Sequence, residues 1–163
     1  MNEELRLLGI LLRYPTQELL ELVSHLESDQ PNIKEFLEYA KNESLLNLQT
    51  EYVKSFDLSD KSTLYLTYHR FRDDPKRGTF LVKLVDYYRK KGFEFVDNEL
   101  PDFLPVVLEF CSYMDEATAV EILSNFQKEL QQIEEGLKEL GSKYIPLISY
   151  INEMIKREVN QNA

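Results

Sequence analysis

Glu99-Leu100-Pro101-Asp102-Phe103-Leu104-Pro105-Val106-Val107-Leu108-Glu109-Phe110 sets two prolines, three carboxylates and seven large apolar side chains into twelve residues near the middle of the chain. Asp102 can cap a helix, its carboxylate accepting orphan backbone N–H groups of the first turn. Pro105 then falls at the third helical position, where a missing N–H removes no intrahelical bond. Leu104, Val107, Leu108 and Cys111 follow at helical spacing, so the helix starts sharply and turns an apolar face inward. Glu99 and Asp102 stand before or at its positive end, where carboxylates are favoured. Two readings of the stretch stay open at this point. It is a well-capped core helix after an X-Pro turn, or a fixed corner that holds acidic groups beside an apolar groove.

The rest of the chain is also helical in pattern. Leu5, Leu7, Leu8, Ile10, Leu11 and Leu12 predict a first helix, apolar on most sides and ended by Tyr14-Pro15. Thr16 can cap a second helix carrying Leu19, Leu20, Leu22, Val23 and Leu26. After the polar break at Ser28–Asn32, a third carries Ile33, Phe36, Leu37 and Ala40. Asn42 is placed as the cap of a fourth, with Leu45, Leu46, Leu48, Tyr52, Val53 and Phe56 on its inner side. The pattern stops at Asp57–Ser62. The aromatic and β-branched run Thr63–Phe71 has no second strand-like run to pair with, so it reads as an extended or short helical segment laid across helices. Asp74-Pro75 opens the next helix and Lys90-Lys91-Gly92 closes it.

Beyond the central stretch, Ala119, Leu123, Phe126, Leu130, Ile133, Leu137 and Leu140 recur at spacings of 4, 3, 4, 3, 4 and 3. This predicts one long helix from Met114-Asp115-Glu116 to Gly141, packed on antiparallel neighbours. A last helix starts near Pro146, and residues 160–163 form a frayed tail. No internal repeat or linker is visible. The expectation is one all-α domain over residues 1–163, a helical bundle of about seven to nine helices with no sheet.

Composition bounds the function. The 163 residues are 43% hydrophobic and 29% charged, as expected of a folded soluble chain. A net charge of −10 opposes duplex nucleic acid and anionic membranes, and favours a basic partner. One cysteine, Cys111, excludes an internal disulfide and fits a reducing cytoplasm. The acidic start Met1-Asn2-Glu3-Glu4 lacks the positive charge of a secretory signal, and Leu7–Leu12 is too short to span a bilayer. A cytoplasmic location is expected.

Chemistry is sparse. His25 and His69 stand 44 residues apart with no metal-ligand spacing around either, so no metal is expected. Walker loop, dinucleotide fingerprint and serine elbow are missing. Glu99, Asp102 and Glu109 are the carboxylates available for acid–base work, but helix-start duties account for Asp102, and oxyanion donors do not stand beside them. Basic residues interleave with aromatics between Tyr65 and Arg77, yet Asp73 and Asp74 interrupt them, against a nucleic-acid surface. The reading is a non-enzyme that binds, its apolar groove and acidic rim suited to a peptide.

The central stretch, read as Glu99-Leu100-Pro101-Asp102-x-Leu104-Pro105-x-x-Leu108-Glu109-Phe110, resembles the signature of the nitrate reductase delta-subunit family. These are NarJ-like molybdenum cofactor assembly chaperones, within the TorD/DmsD-type redox-enzyme maturation chaperones. The Leu-rich opening ending in Tyr14-Pro15, the element Tyr52-Val53-x-x-Phe56-Asp57, and Leu64–Gly78 with His69 and Arg77-Gly78 are similar to the family as well. Where the family often has a glutamate before the first histidine, and later a second histidine followed by glycine, this chain has Tyr68, Phe71 and Arg72. Lys76 stands where an acidic residue often precedes Arg-Gly.

The resemblance implies an all-α fold, no enzymatic activity and no cofactor of its own. It implies binding to the N-terminal segment of the apo catalytic (alpha) subunit of a molybdenum-containing nitrate reductase, held until molybdenum cofactor insertion and before membrane assembly. Nucleic acid and membrane insertion are not expected, and the protein is a monomer or homodimer. The groove expected for the peptide is lined by Tyr52, Phe56, Leu64, Tyr65, Tyr68 and Phe103, with Asp57, Asp73, Glu99 and Asp102 offering charge-assisted hydrogen bonds to its cations and His69 beside them. Pro101, Pro105 and Glu109 are the structural part of the motif. The alternative is an acidic helical adaptor or regulator that docks to a folded partner.

Overall fold

A computed structural model describes residues 1–96 and 98–161 of the chain. Its first element is α1 (Asn2–Leu11), which buries Leu5, Leu8, Gly9 and Leu11. Thr16 caps α2 (Gln17–His25) as expected, its hydroxyl accepting from the Leu19 amide at 3.1 Å. Next come α3 (Pro31–Lys41) and α4 (Leu45–Tyr52). Asn42 does not cap α4; it ends α3, and Ser44 is the cap, because its hydroxyl stands where the Asn47 amide can donate to it. Then α5 (Leu66–Phe71) and α6 (Lys76–Lys90) lead to α7 (Leu104–Ser112). The chain closes with α8 (Glu116–Ser124), α9 (Gln127–Leu140) and α10 (Ile145–Gln161).

The class is all-α: the described residues contain ten α-helices, one π-helical turn at Val53–Asp57, and no sheet. The count passes the expected seven to nine partly because the long helix expected over 114–140 is two. The heptad-like repeat continues through the break, since Ala119, Leu123, Phe126, Leu130, Ile133 and Leu137 are all buried. The backbone, however, turns at Asn125–Phe126, so periodicity of burial outlasts periodicity of hydrogen bonding. Gly141 ends α9 with φ 62°, the left-handed conformation that glycine adopts without strain. The predicted tail begins at residue 160, but α10 continues to Gln161; residues 162 and 163 lie outside the described residues.

One apolar cluster runs through the bundle from Leu5 to Ile155. α10 packs on α3, α8 and α9, and α1 packs along α7. The α1–α7 approach is close because Gly9 has no side chain. A Cβ at that position would lie 3.2 Å from the Pro105 carbonyl oxygen. Pro105 sits in the first turn of α7, where a missing N–H breaks no intrahelical bond, and its carbonyl oxygen faces Gly9 of α1.

Candidate functional site

The segment Thr63–Phe71 combines both shapes expected of it. Tyr65 forms an isolated antiparallel bridge with Phe103, and the chain becomes helical at Leu66. Two backbone hydrogen bonds fasten the bridge, Leu104 N–H to the Leu64 carbonyl at 2.9 Å and Leu66 N–H to the Asp102 carbonyl at 3.2 Å. The first of these satisfies an orphan donor at the start of α7.

Asp102 is consequently not the cap of α7. Phe103 occupies the cap position and makes no side-chain bond, while Asp102 points across to α5. There its Oδ2 accepts from the Thr67 amide at 2.8 Å and the Thr67 hydroxyl at 2.6 Å. The Arg77 Nε donates to the same hydroxyl at 3.0 Å, and its Nη2 lies 3.8 Å from Asp102. The carboxylate thus caps a helix that comes earlier in the chain, and its charge is balanced by a half-buried guanidinium. Asp102 is 0% exposed, so the expected rim carboxylate is instead an internal tie.

The other motif residues are fixed in similar ways. The Tyr88 hydroxyl, on α6, donates to the Pro101 carbonyl at 2.7 Å. Glu109 is exposed and pairs with Arg13 at 3.6 Å. Glu99 receives the Tyr65 hydroxyl. The Tyr65 ring lies on Phe103 at a centroid distance of 5.0 Å.

These contacts build a cleft of about 390 Å³. Tyr52, Phe56, Asp57, Leu64, Tyr65, Glu99 and Phe103, seven of the residues expected at the groove, all line it. Tyr52, Phe56, Leu64 and Phe103 are buried and form its floor, whereas Asp57, Tyr65 and Glu99 reach solvent. The floor is rigid: the Tyr52 hydroxyl donates to the Leu12 carbonyl at 2.9 Å, and its ring meets Phe56 and Tyr144 edge-on. A neighbouring cleft of about 470 Å³ is lined by Tyr65, Tyr68, Arg77 and Glu99 among others, so the Tyr65–Glu99 pair forms the wall between the two.

His69 and Asp73 line neither cleft. His69 is buried, with Nε2–H donating to the Thr63 carbonyl at 2.8 Å, and burial holds its imidazole below the ordinary value of 6.5. Asp73 lies exposed just after α5.

The electrostatics of the first cleft suit a cation. Partial burial, and after it the nearby Glu99 charge, push the Asp57 carboxyl above the ordinary aspartate value. Burial first, and then the hydrogen bond to Glu99, push the Tyr65 phenol up, so it remains a donor. The Asp57 carboxyl, held up beside an aromatic floor and with Arg13 also lining the cleft, is relieved by an incoming ammonium or guanidinium.

Several participants were not identified from sequence. Arg13, Tyr14, Thr16 and Thr63 also line the cleft. The π-helical turn that aims Phe56 and Asp57 is held by the Ser62 hydroxyl on the Ser55 carbonyl and by a 2.6 Å contact between the Ser55 and Ser142 hydroxyls. Isolated serines carry no local signal for such a role. Arg77 could have been found, since a cation beside a small helix start is a natural partner for a buried carboxylate.

Comparison with known proteins bears on this geometry. The family described as nitrate reductase delta subunit matches residues 20–149. The nitrate reductase-like protein NarX of Mycobacterium tuberculosis is 29% identical over 88% of this chain, which spans only 23% of NarX. The nitrate reductase molybdenum cofactor assembly chaperone NarJ of Escherichia coli K12 is 25% identical over 98% of this chain and 72% of its own length. Among solved structures, a candidate redox enzyme maturation protein from Archaeoglobus fulgidus superimposes with a TM-score of 0.71 at 23% identity, covering 96% of this chain and 94% of that one. That likeness concerns the fold.

Proposed function

The chain belongs to the nitrate reductase delta subunit family, and on that premise we propose that it is a system-specific maturation chaperone without catalytic activity. It binds the N-terminal segment of the apo catalytic subunit of a molybdenum-containing nitrate reductase. It holds that subunit for molybdenum cofactor insertion and keeps the segment from membrane attachment meanwhile. It acts in the cytoplasm, and among the described residues no helix is long and apolar enough to cross a membrane.

The observation that carries this reading is the placement of Asp57 and Glu99 on the rim of a cleft floored by Tyr52, Phe56, Leu64 and Phe103. An N-terminal peptide that is cationic and partly apolar matches both halves of it. Its arginine or lysine heads lie between Asp57 and Glu99, and an apolar side chain enters the cleft. Exposed ion pairs contribute about 0.2–1 kcal/mol each, and hydrogen bonds to a desolvated charge about 1.5–3. Several such contacts together with one or two buried apolar anchors reach micromolar binding, a binding free energy of about −8 kcal/mol.

The isolated N-terminal peptide of the client tests this directly. Under the proposal the peptide alone is captured by the chaperone, and it competes with the whole apo subunit. A docking adaptor would bind the folded subunit and ignore the peptide, which would set the proposal aside.

A further inference from the structure

α6 is unlike the rest of this acidic chain. Residues 76–91 carry Lys76, Arg77, Lys83, Arg89, Lys90 and Lys91 against the single carboxylate Asp86, in a protein of net charge −10. Some of these cations are occupied. Arg77 is tied to Thr67 and Asp102, and Arg89 lies 3.4 Å from Asp86. Lys76, Lys83 and Lys90 are exposed and, among the described residues, have no ion-pair partner. They recur every seventh residue and therefore form one stripe along the helix.

Beside that stripe runs an apolar one. Phe80, Leu84 and Tyr87 are only partly buried, and Tyr88 is the sole fully buried residue of the fifteen in α6. With Ile122 and Phe126 of α8 and the following turn, they line an open cavity of about 430 Å³ between the helices. Arg70 closes its base, its guanidinium 5.3 Å from the Phe80 ring and 5.6 Å from the Phe126 ring, anchored 2.7 Å from Glu129.

We propose that the α6–α8 groove is a second docking surface, taking an amphipathic helix of a partner protein whose apolar stripe enters the groove and whose carboxylates lie along Lys76, Lys83 and Lys90. Charge complementarity fixes the sign of the occupant. A helix with lysines on that flank meets the lysine stripe, and one with carboxylates meets unpaired cations. Apolar side chains recessed in a groove receive a helix but do not project far enough to enter a bilayer. Glu121, exposed on the facing wall, opposes a polyanion such as nucleic acid. The surface is separate from the Asp57–Glu99 cleft, and this inference does not depend on the reading of that cleft.

The test uses the full chain and a fluorescein-labelled amphipathic peptide of about 18 residues, enough to lie along α6. The peptide has leucines on one stripe and glutamates on its flank; a control carries lysines in their place. The expected results are saturable binding of the acidic peptide, loss by about tenfold or more in Lys76→Gln/Lys83→Gln/Lys90→Gln, and no loss in Glu99→Gln. Circular dichroism of the triple variant separates loss of the surface from loss of the fold, and the single variant Lys83→Glu gives the same answer with less change to the helix. Equal affinity for both peptides, or loss in Glu99→Gln, would overturn the proposal. So would lysine-dependent binding to anionic phosphatidylserine vesicles or lysine-dependent dimerisation in place of peptide binding.

Discussion

Asp102 and Thr67 are joined by two hydrogen bonds to one carboxylate oxygen, at 2.8 Å from the amide and 2.6 Å from the hydroxyl. The proline-rich stretch therefore caps α5, a helix that precedes it by more than thirty residues of sequence, and so fixes one wall of the groove. Removing the carboxylate by Asp102→Ala leaves the buried Thr67 amide without its acceptor and takes the countercharge from the half-buried Arg77, which keeps its bond to the Thr67 hydroxyl. The expected loss is about 1.5–3 kcal/mol in urea unfolding, the range for hydrogen bonds to a charged group. Glu99→Gln, at the half-exposed rim, is expected to change stability by well under 1 kcal/mol.

Backbone geometry gives a prediction of opposite sign at two positions. Arg72 ends α5 with φ 51° and ψ −121°, a conformation that favours glycine. Arg72→Gly relieves it at the loss of a guanidinium placed 5.3 Å over the Tyr68 ring, and is expected to raise stability by about 1 kcal/mol. The family resemblance places a glycine at this same position. Gly136→Ala is expected to do the reverse, since its Cβ would stand 2.7 Å from the Lys61 carbonyl oxygen. Overpacking against backbone costs about 1–3 kcal/mol. Thermal melts of the two variants check both signs.

His69 makes stability depend on pH. Its folded value is held below the ordinary 6.5, chiefly by burial, so the unfolded chain binds the proton more readily. Its contribution is fully present above 6.5 and is lost as pH falls through the lower folded value. His69→Gln, which retains a donor for Thr63, is expected to flatten that part of the stability profile. An unchanged slope in urea titrations at stepped pH would show that His69 does not titrate in this way.

Cys111 is fully buried, and burial pushes its thiol up to about 12. The native protein is therefore expected to be unreactive toward a disulfide reagent such as DTNB, with one thiol appearing in denaturant. Fast labelling of the native chain would mean that α7 opens locally.

The helical class was readable because burial here follows helical periodicity almost everywhere, from Leu5–Leu8–Leu12 to Ile148–Ile151–Ile155. The local cap Thr16 was readable because donor and acceptor lie three residues apart. What failed was the partner choice of a residue with two possible targets. Asp102 satisfies the sequence rule for capping α7, but the α7 start is occupied by the Leu64 carbonyl, which frees the carboxylate for Thr67. Similarly, nothing local in Val53–Asp57 announces a π-helical turn, which depends on Ser62 and Ser142 from elsewhere in the chain. The groove residues cluster well where they sit next to the bridge at Tyr65. They scatter where sequence proximity was the only guide, as at Asp73.

Calorimetric titration of the client's N-terminal peptide into the wild-type chain and into Asp57→Asn/Glu99→Gln, at low and high salt, tests the central claim most directly. The account predicts micromolar or tighter binding that weakens with salt and on acidification through the raised Asp57 range. It predicts a loss of about tenfold or more in the double variant, whose urea midpoint stays near wild type. Binding that is indifferent to salt, to pH and to both carboxylates in a folded variant would contradict it.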